Sequence, residues 1–314
     1  MVCERLCWRV LLVPVTAARC CCVFAVTVNG CPAGVVGGTA RVIVRLCQVF
    51  AGIFVAGGSM KIRPNRIKHK LADGRVCFVL GGVADPDMLD QLGGCGADGF
   101  WLEGEHGPVD FDNVANMSRA CDLWGVTSLA RVHYNEYGSI YRMLDRGVQG
   151  LVMPHVNSRA EAEAFVSAAK FAPVGKRGMF TSRQGYNVPD YFQVANSETL
   201  LVILIEDIVA LGQLDDILKV EQIDVFFVAP ADLAASMGQI GNTGHPEVQS
   251  ALTAALAKII GAGRCAGTIT ESDGAERLAN QGVRFLLTNV APWIEAGAKQ
   301  FAASVEKGAM SGKV

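Results

Sequence analysis

The chain has 314 residues, 51% of them hydrophobic, so it is long enough to bury one large core or two small ones. Its formal net charge of −2 excludes the strongly basic field that attracts nucleic acid or an acidic membrane surface. Its 35 glycines suit a fold with many tight turns between strands and helices.

The first 59 residues differ in composition from the rest of the chain. They contain seven of the 11 cysteines, five arginines, one glutamate and no lysine, and they show no clear helical or strand period. We interpret residues 1–59 as a non-native or disordered extension, with a membrane-targeting leader as the alternative, and residues 60–314 as one domain. The four later cysteines lack the spacing of zinc ligands, which indicates a reduced, cytoplasmic protein.

Eight short apolar runs follow, as expected of parallel strands that are buried on both faces. They are residues 76–80, 99–102, 128–131, 150–153, 200–205, 225–228, 265–269 and 285–288. Helical patterns lie at residues 85–92, 111–124, 136–146, 158–170, 208–218, 246–262, 272–281 and 292–305. This alternation predicts an α/β fold, a (β/α)8 TIM barrel. A doubly wound open sheet is the alternative, but no glycine-rich nucleotide-binding turn follows the first strand.

Polar residues close four of the predicted strands. His106, Arg131, Glu206 and Asp232 each stand at or just after the end of an apolar run. The carboxyl ends of all barrel strands meet at one mouth, so we expect these four side chains to converge there.

Each of these residues has a functional and a structural interpretation. Glu206 and Asp232 suit an octahedral Mg²⁺ or Mn²⁺, but they could also cap helices or pair with arginine. Arg131 requires an anion, either on a substrate or on a neighbouring strand. His106 could relay a proton or be incidental to its loop, and His155 follows the fourth strand near the mouth. No predicted strand carries a lysine, which argues against a Schiff-base aldolase.

Three motifs, in order along residues 61–305, resemble those of the HpcH/HpaI aldolases. They are Gly104-Glu105-His106-Gly107-Pro108, Ala229-Pro230-Ala231-Asp232-Leu233 and Gly244-His245-Pro246-Glu247-Val248. The resemblance implies a barrel of the phosphoenolpyruvate/pyruvate type that cleaves a 4-hydroxy-2-oxo acid into pyruvate and an aldehyde. A lyase of CoA thioesters like the citrate lyase β subunit or malyl-CoA lyase, and a non-catalytic ligand-binding barrel, are the alternatives.

The resemblance also implies a role for each site residue. Glu206 and Asp232 would hold a divalent metal ion, Mg²⁺, Mn²⁺ or Co²⁺, that chelates the oxo acid. Backbone N–H groups near Ala231 and Asp232 would bind the substrate carboxylate. Arg131 would stabilise the oxygen on which negative charge develops.

His106 would transfer the proton, and Asp145 would orient that histidine. Long loops on barrels often cover the site, so we expect the irregular stretch at residues 171–191 to do so, with its residues 180–186 helping to select the aldehyde. The resemblance further implies a homo-hexamer, with a last helix exchanged between neighbours. The net charge of −2 predicts no nucleic-acid or membrane partner. The apolar stripe of that helix is equally compatible with packing on its own barrel, and its residues are Ile294, Ala298, Phe301 and Val305.

The sequence departs from the family pattern at three positions. Leu204 stands where the family usually has glutamine, Ala229 replaces a glycine, and Glu103 replaces an aspartate. None of the three changes removes a predicted metal ligand or the predicted base.

Overall fold

The computed structural model describes residues 60–311, with side chains to residue 308, so the interpretation of residues 1–59 lies outside the described residues. Eight parallel strands close into a barrel in sequence order, which confirms the predicted (β/α)8 fold. Each predicted strand is correct to within one residue at either end. The strands are β1 (Cys77–Gly81), β2 (Gly99–Glu103), β3 (Thr127–Arg131), β4 (Gly150–Met153), β5 (Leu200–Ile205), β6 (Val225–Val228), β7 (Ala266–Ile269) and β8 (Phe285–Asn289).

Helices follow the strands, as predicted, and residues 60–311 contain three further helices outside the eight predicted helical patterns. The helices are α1 (Arg66–Ala72), α2 (Pro86–Leu92), α3 (Val114–Trp124), α4 (Tyr137–Asp145), α5 (Arg159–Ala169), α6 (Tyr191–Glu198), α7 (Ile208–Gly212), α8 (Leu214–Ile217), α9 (Pro230–Ser236), α10 (Pro246–Gly261), α11 (Ser272–Asn280) and α12 (Val290–Ser311). The unpredicted ones, α1, α6 and α9, are at most eight residues long, which is too short for a clear helical period. Within residues 60–311, no helix is long and apolar enough to cross a membrane.

Side-chain alternation along the strands creates two separate cores. One set of positions fills the barrel interior, and the other packs against the helices. In β5, for example, Leu200, Val202 and Leu204 belong to the interior core, whereas Leu201 and Ile203 belong to the outer one. This period of two determines which residues reach the interior of the mouth.

Helix α1 closes the amino end of the barrel. Its Ile67 is fully buried in the interior core, and its N-cap residue Asn65 is also fully buried. The Asn65 amide group donates to the backbone oxygens of Gln149 and Glu198, both at 2.9 Å, and its oxygen accepts from the Thr127 hydroxyl at 3.0 Å. With this end closed, the carboxyl ends of the strands form the open mouth.

Helix α12 does not pack on the barrel along its length. Every described side chain from Ala291 to Gly308 is exposed, although the Trp293 ring contacts that of Phe78 at 6.0 Å. Phe301 is 73% exposed and Val305 57%. The interpretation in which the apolar stripe packs on its own barrel is therefore wrong for this chain, because the helix extends away from the barrel surface.

Gly99 leaves the space into which α1 inserts its apolar side chain. A Cβ at Gly99 would lie 2.6 Å from both Ile67 Cδ1 and the Thr127 carbonyl oxygen. We expect Gly99→Ala to lower the free energy of unfolding by about 1–3 kcal/mol through overpacking. Chemical denaturation would measure it. Gly261→Ala is the control, because a Cβ there meets nothing within 4 Å, and an equal loss in both variants would contradict the prediction.

We expect a second copy of the chain to cover the exposed apolar stripe of α12. Combined Ile294→Asp and Phe301→Asp substitutions should lower the molar mass measured by light scattering, because charged groups cannot be buried there without partners. Ala303→Asp is the control, since 100° per residue places position 303 on the opposite side of the helix. A monomeric wild-type chain would contradict the prediction.

Candidate active site

The mouth of the barrel is lined by the last inward-facing position of each strand. Trp101, Leu129 and Leu204 lie in the interior core, and residues two positions further along a strand face the same way. The next inward positions, at or just after the ends of β2, β3 and β5, are Glu103, Arg131 and Glu206.

Two glutamates form ion pairs with the guanidinium of Arg131, and the Arg131 side chain is 12% exposed. The strand register places Glu103 directly opposite Arg131, and Nε lies 2.9 and 2.8 Å from the two Glu103 carboxylate oxygens. On the other side, Nη1 lies 2.9 Å from Glu105 Oε2, in an ion pair without hydrogen-bond alignment. The alternative in which Arg131 pairs with an acid of a neighbouring strand is therefore present in the structure.

Glu103 organises the end of β2 as well as Arg131. The Trp101 indole N–H donates to Oε2 at 3.0 Å, and the backbone N–H groups of Glu105 and His106 donate to Oε1 at 2.8 and 3.1 Å. Burial acts to raise the pKa of Glu103, but the hydrogen bonds and charge of Arg131, with the other donors, hold that pKa below its ordinary value. Glu103 is thus a permanent anion at neutral pH.

The loop after β2 approaches the end of β3 closely. A Cβ at Gly104 would lie 2.5 Å from the Arg131 carbonyl oxygen, so only glycine permits this approach. The His133 ring contacts the Gly104 carbonyl through Nδ1 at 2.6 Å. The loop presents His106 with its side chain 65% exposed and its Nε2 3.8 Å from Glu105 Oε2.

Glu206 is buried, and only one of its two carboxylate oxygens accepts a hydrogen bond from the described residues. Its Oε1 accepts the His155 backbone N–H at 2.7 Å and lies 3.3 Å from His155 Nδ1. Its Oε2 is buried and has no hydrogen-bond partner among the described residues. Burial raises the pKa of Glu206, the His155 amide and ring offset part of that rise, and the charges of Asp232 and Glu105 raise it further. A buried oxygen of this kind can accept a cation.

Asp232 lies in the first turn of α9, directly after β6. Its charge acts on Glu206, so the two carboxylates are within electrostatic reach of each other. The described part of the chain contains no group of three or more His, Cys, Asp and Glu side chains arranged as a metal cage. The carboxylates of Glu206 and Asp232 nevertheless suit a hard divalent cation, because Glu206 Oε2 has no hydrogen-bond partner among the described residues. Water and substrate oxygens would be the other ligands of that cation.

Comparison with known proteins assigns the family. The model of the HpcH/HpaI aldolase/citrate lyase family matches residues 75–288. The chain belongs to this family. It is 33% identical over 237 residues to the hydroxypyruvate/pyruvate aldolase of Pseudomonas aeruginosa, covering 74% of this chain and 88% of that protein. It is also 33% identical over 232 residues to the 4-hydroxy-2-oxo-heptane-1,7-dioate aldolase of Salmonella paratyphi A, covering 72% and 88%.

The solved structures agree with the family assignment. An HpcH/HpaI aldolase/citrate lyase family protein from Burkholderia cenocepacia superposes with a TM-score of 0.73 at 26% identity, over 77% of this chain and 99% of that one. The sequence-based prediction of an HpcH/HpaI aldolase is confirmed, and this member of the family is a carbon–carbon lyase.

The structure brings most of the predicted site of this HpcH/HpaI aldolase to one end of the barrel. Arg131, Glu206, Asp232 and the loop carrying His106 all lie at carboxyl ends of strands, and Ala231 precedes Asp232 in α9. Their chemical roles remain predictions.

Asp145 lies elsewhere and does not orient His106 within this chain. It ends α4, on the side from which the chain enters the amino end of β4. Its carboxylate accepts from Arg177 Nη2 at 2.7 Å, and no hydrogen bond joins it to His106 in the described residues. Helices of a barrel run antiparallel to the strands, so the last residue of a helix faces away from the mouth.

The long stretch at residues 171–191 also lies away from this chain's own mouth. It connects the end of α5 to α6 and then to the amino end of β5. Gln184 donates to the Gly147 carbonyl oxygen at 2.7 Å, ahead of β4. The expectation that residues 171–191 cover this site, and that residues 180–186 select its aldehyde, is therefore wrong within a single chain.

Two important residues received no role from the sequence. Glu105 lies inside the motif at residues 104–108, but its contact with Arg131 depends on the bend of the loop at Gly104. His155 was placed only near the mouth, because the strand alternation ends at Pro154 and cannot indicate its contacts. Its left-handed backbone, with φ of 52°, is what turns its amide toward Glu206.

We expect Glu103→Gln to lower the free energy of unfolding by about 2–4 kcal/mol at neutral pH, because it removes the carboxylate that is hydrogen-bonded to the buried Arg131 and leaves the Glu105 ion pair, which lacks hydrogen-bond alignment. The contribution of Glu103 is present at neutral pH and is lost as the pH falls through its lowered folded-state pKa. Urea denaturation at pH 7 and in acid would measure both effects.

The matched control is Glu163→Gln, which breaks an exposed pair with Arg159 in which both side chains are 52% exposed. Such pairs contribute at most about 1 kcal/mol. Similar losses in the two variants would contradict the structural role assigned to Glu103.

Proposed function

We propose that this chain catalyses the retro-aldol cleavage of a 4-hydroxy-2-oxo acid into pyruvate and an aldehyde, and the reverse condensation, with a divalent cation held by Glu206 and Asp232. Mg²⁺ and Mn²⁺ fit this oxygen donor set best. The proposal is supported by the family, by the names of its aldolase relatives and by the acidic mouth of the barrel.

The unpartnered Oε2 of Glu206 is the observation that carries this proposal. It belongs to a side chain that is only 1% exposed, and the nearby charges of Asp232 and Glu105 disfavour its ionised form. A buried carboxylate with acidic neighbours gains greatly from a cation. When bound there, the cation would act as a Lewis acid on the 2-oxo and carboxylate oxygens of the substrate.

Arg131 would stabilise the negative charge that develops on the 2-oxo oxygen. Glu103 and Glu105 use one side of each Nη group, and each Nη carries a second N–H for the substrate. Because both glutamates fix the guanidinium before the substrate arrives, it does not have to reorganise during the reaction. The N–H groups at the start of α9, near Ala231 and Asp232, would bind the substrate carboxylate.

His106 would accept the proton of the C4 hydroxyl, directly or through an intervening water. The C3–C4 bond then breaks, its electron pair forms the enolate of pyruvate, and C4 leaves as the aldehyde carbonyl. Protonation at C3 completes pyruvate. The exposed His106 side chain can exchange its proton with solvent between turnovers.

The decisive experiment couples pyruvate formation to lactate dehydrogenase, with Mn²⁺, Mg²⁺ or chelator added. We expect cation-dependent release of pyruvate from 4-hydroxy-2-oxo acids and no cleavage of CoA thioesters. Cleavage of malyl-CoA or citryl-CoA alone would instead assign the chain to the CoA-thioester lyases. A chain that binds oxo acids and Mn²⁺ but cleaves neither class would be a non-catalytic barrel.

We expect Asp232→Ala to lower kcat/KM for pyruvate release by at least about 100-fold, because one of the two proposed cation ligands is lost. Mn²⁺ binding, followed by electron paramagnetic resonance, should weaken in parallel. Asp273→Ala is the matched control, since Asp273 also lies in the first turn of a helix at this end of the barrel. Full activity with unchanged Mn²⁺ binding in Asp232→Ala would contradict the proposed ligand set.

A further inference from the structure

His155 connects two of the carboxylates at the mouth. It lies two residues after β4 and has φ of 52°, a left-handed conformation that is uncommon for residues other than glycine, although asparagine, aspartate and histidine adopt it more often than most. In this conformation its backbone N–H donates to Glu206 Oε1 at 2.7 Å. The strained backbone therefore has a specific partner, and that partner is the buried carboxylate of the site.

The ring of His155 also lies close to both glutamates, at distances that make ion pairs when the imidazole is protonated. Its Nδ1 lies 3.3 Å from Glu206 Oε1, and its Nε2 lies 3.3 Å from Glu105 Oε1. His155 contacts the Oε1 atom of each glutamate, and the two Oε2 atoms differ in their surroundings. Oε2 of Glu105 lies beside Arg131, and Oε2 of Glu206 is buried and unpartnered.

These contacts restrict rotation of both carboxylates. Two contacts to Glu206 Oε1 fix the terminal torsion of that side chain, which otherwise rotates broadly. The contact to Glu105 Oε1 keeps the opposite oxygen against Arg131. Without the ring and the amide, Glu206 could present either oxygen in several orientations, and Glu105 could turn away from the guanidinium.

We propose that His155 is a positioning residue that leaves a single oxygen of Glu206, Oε2, directed into the site for the divalent cation and keeps Glu105 against Arg131. The proposal rests on the proposed function for the identity of the bound group. Partners of metal-binding side chains that orient them typically change metal affinity by about 10- to 100-fold when removed.

Three substitutions at position 155 distinguish the effect of the backbone conformation from the effect of the imidazole ring. His155→Gly adopts the left-handed conformation freely and keeps the amide, but it loses the ring. His155→Asn tolerates that conformation and retains a polar side chain. His155→Ala loses the ring and disfavours the conformation. The dissociation constant for Mn²⁺, measured by electron paramagnetic resonance on the full chain without substrate, should rise in the order wild type, Asn, Gly, Ala.

We expect a rise of about tenfold or more for His155→Gly and a larger one for His155→Ala, with partial rescue in His155→Asn. In the pyruvate assay, the Mn²⁺ concentration for half-maximal rate should rise similarly, while kcat at saturating Mn²⁺ falls much less. A general loss of folding would lower kcat without this shift.

His69→Ala is the matched control. The side chains of His69 and His155 are similarly exposed, at 57% and 55%. The His69 ring also pairs with a glutamate, Glu198, at 2.9 Å. His69 belongs to α1, at the closed end of the barrel. Unchanged Mn²⁺ binding in both His155→Gly and His155→Ala, or an equal weakening in His69→Ala, would overturn the proposal.

The two proposals fail separately in this design. A wild-type chain that binds Mn²⁺ but releases no pyruvate contradicts the aldolase function, and weaker binding in the His155 variants still supports the positioning role. A wild-type chain that cleaves oxo acids with Mn²⁺, but whose His155 variants bind Mn²⁺ normally, contradicts the positioning role alone. A wild-type chain that binds no Mn²⁺ contradicts both.

Discussion

More negative than positive charge is held at the mouth of this barrel, and the site depends on that imbalance. Glu103 and Glu105 pair with the Arg131 guanidinium, and the charges of Asp232 and Glu105 act on Glu206. These two glutamates outweigh the single charge of Arg131, and among the described residues no arginine or lysine forms an ion pair with Glu206 or Asp232. Burial of such carboxylates is costly unless a cation joins them. The same imbalance that would destabilise an empty site therefore favours a divalent ion.

The closed barrel brings these charged side chains together at one mouth. Residues that are far apart in sequence reach one mouth only because eight strands run parallel and end together. Below the acidic layer, Trp101, Leu204 and Phe227 form an apolar floor that excludes water, and Trp101 also donates its indole N–H to Glu103. The floor makes each electrostatic interaction above it stronger than it would be in water. At the other end, α1 closes the barrel and supports that floor.

The sequence predicts the strands well because their signal is local, whereas the contacts of the site are not. Continuous apolar runs reveal buried parallel strands, and polar residues at their ends reveal Arg131, Glu206 and Asp232. Short helices such as α9 bury too few residues to show a period. Asp145 was assigned by resemblance, and only the direction of α4 shows that it ends away from the mouth. His155 could be placed near the mouth but given no role, because its role depends on a left-handed backbone after Pro154.

The departures from the family pattern can be judged in the same physical terms. Ala229 has φ of −97°, which alanine adopts as easily as the usual glycine, so this change introduces no strain. Glu103 uses its longer side chain to reach both Arg131 and the amides of the following loop. Leu204 places an apolar side chain one layer below Glu206, where a glutamine could have offered a hydrogen bond. With no polar group from that position, Glu206 depends more strongly on His155 on one side and on a cation on the other.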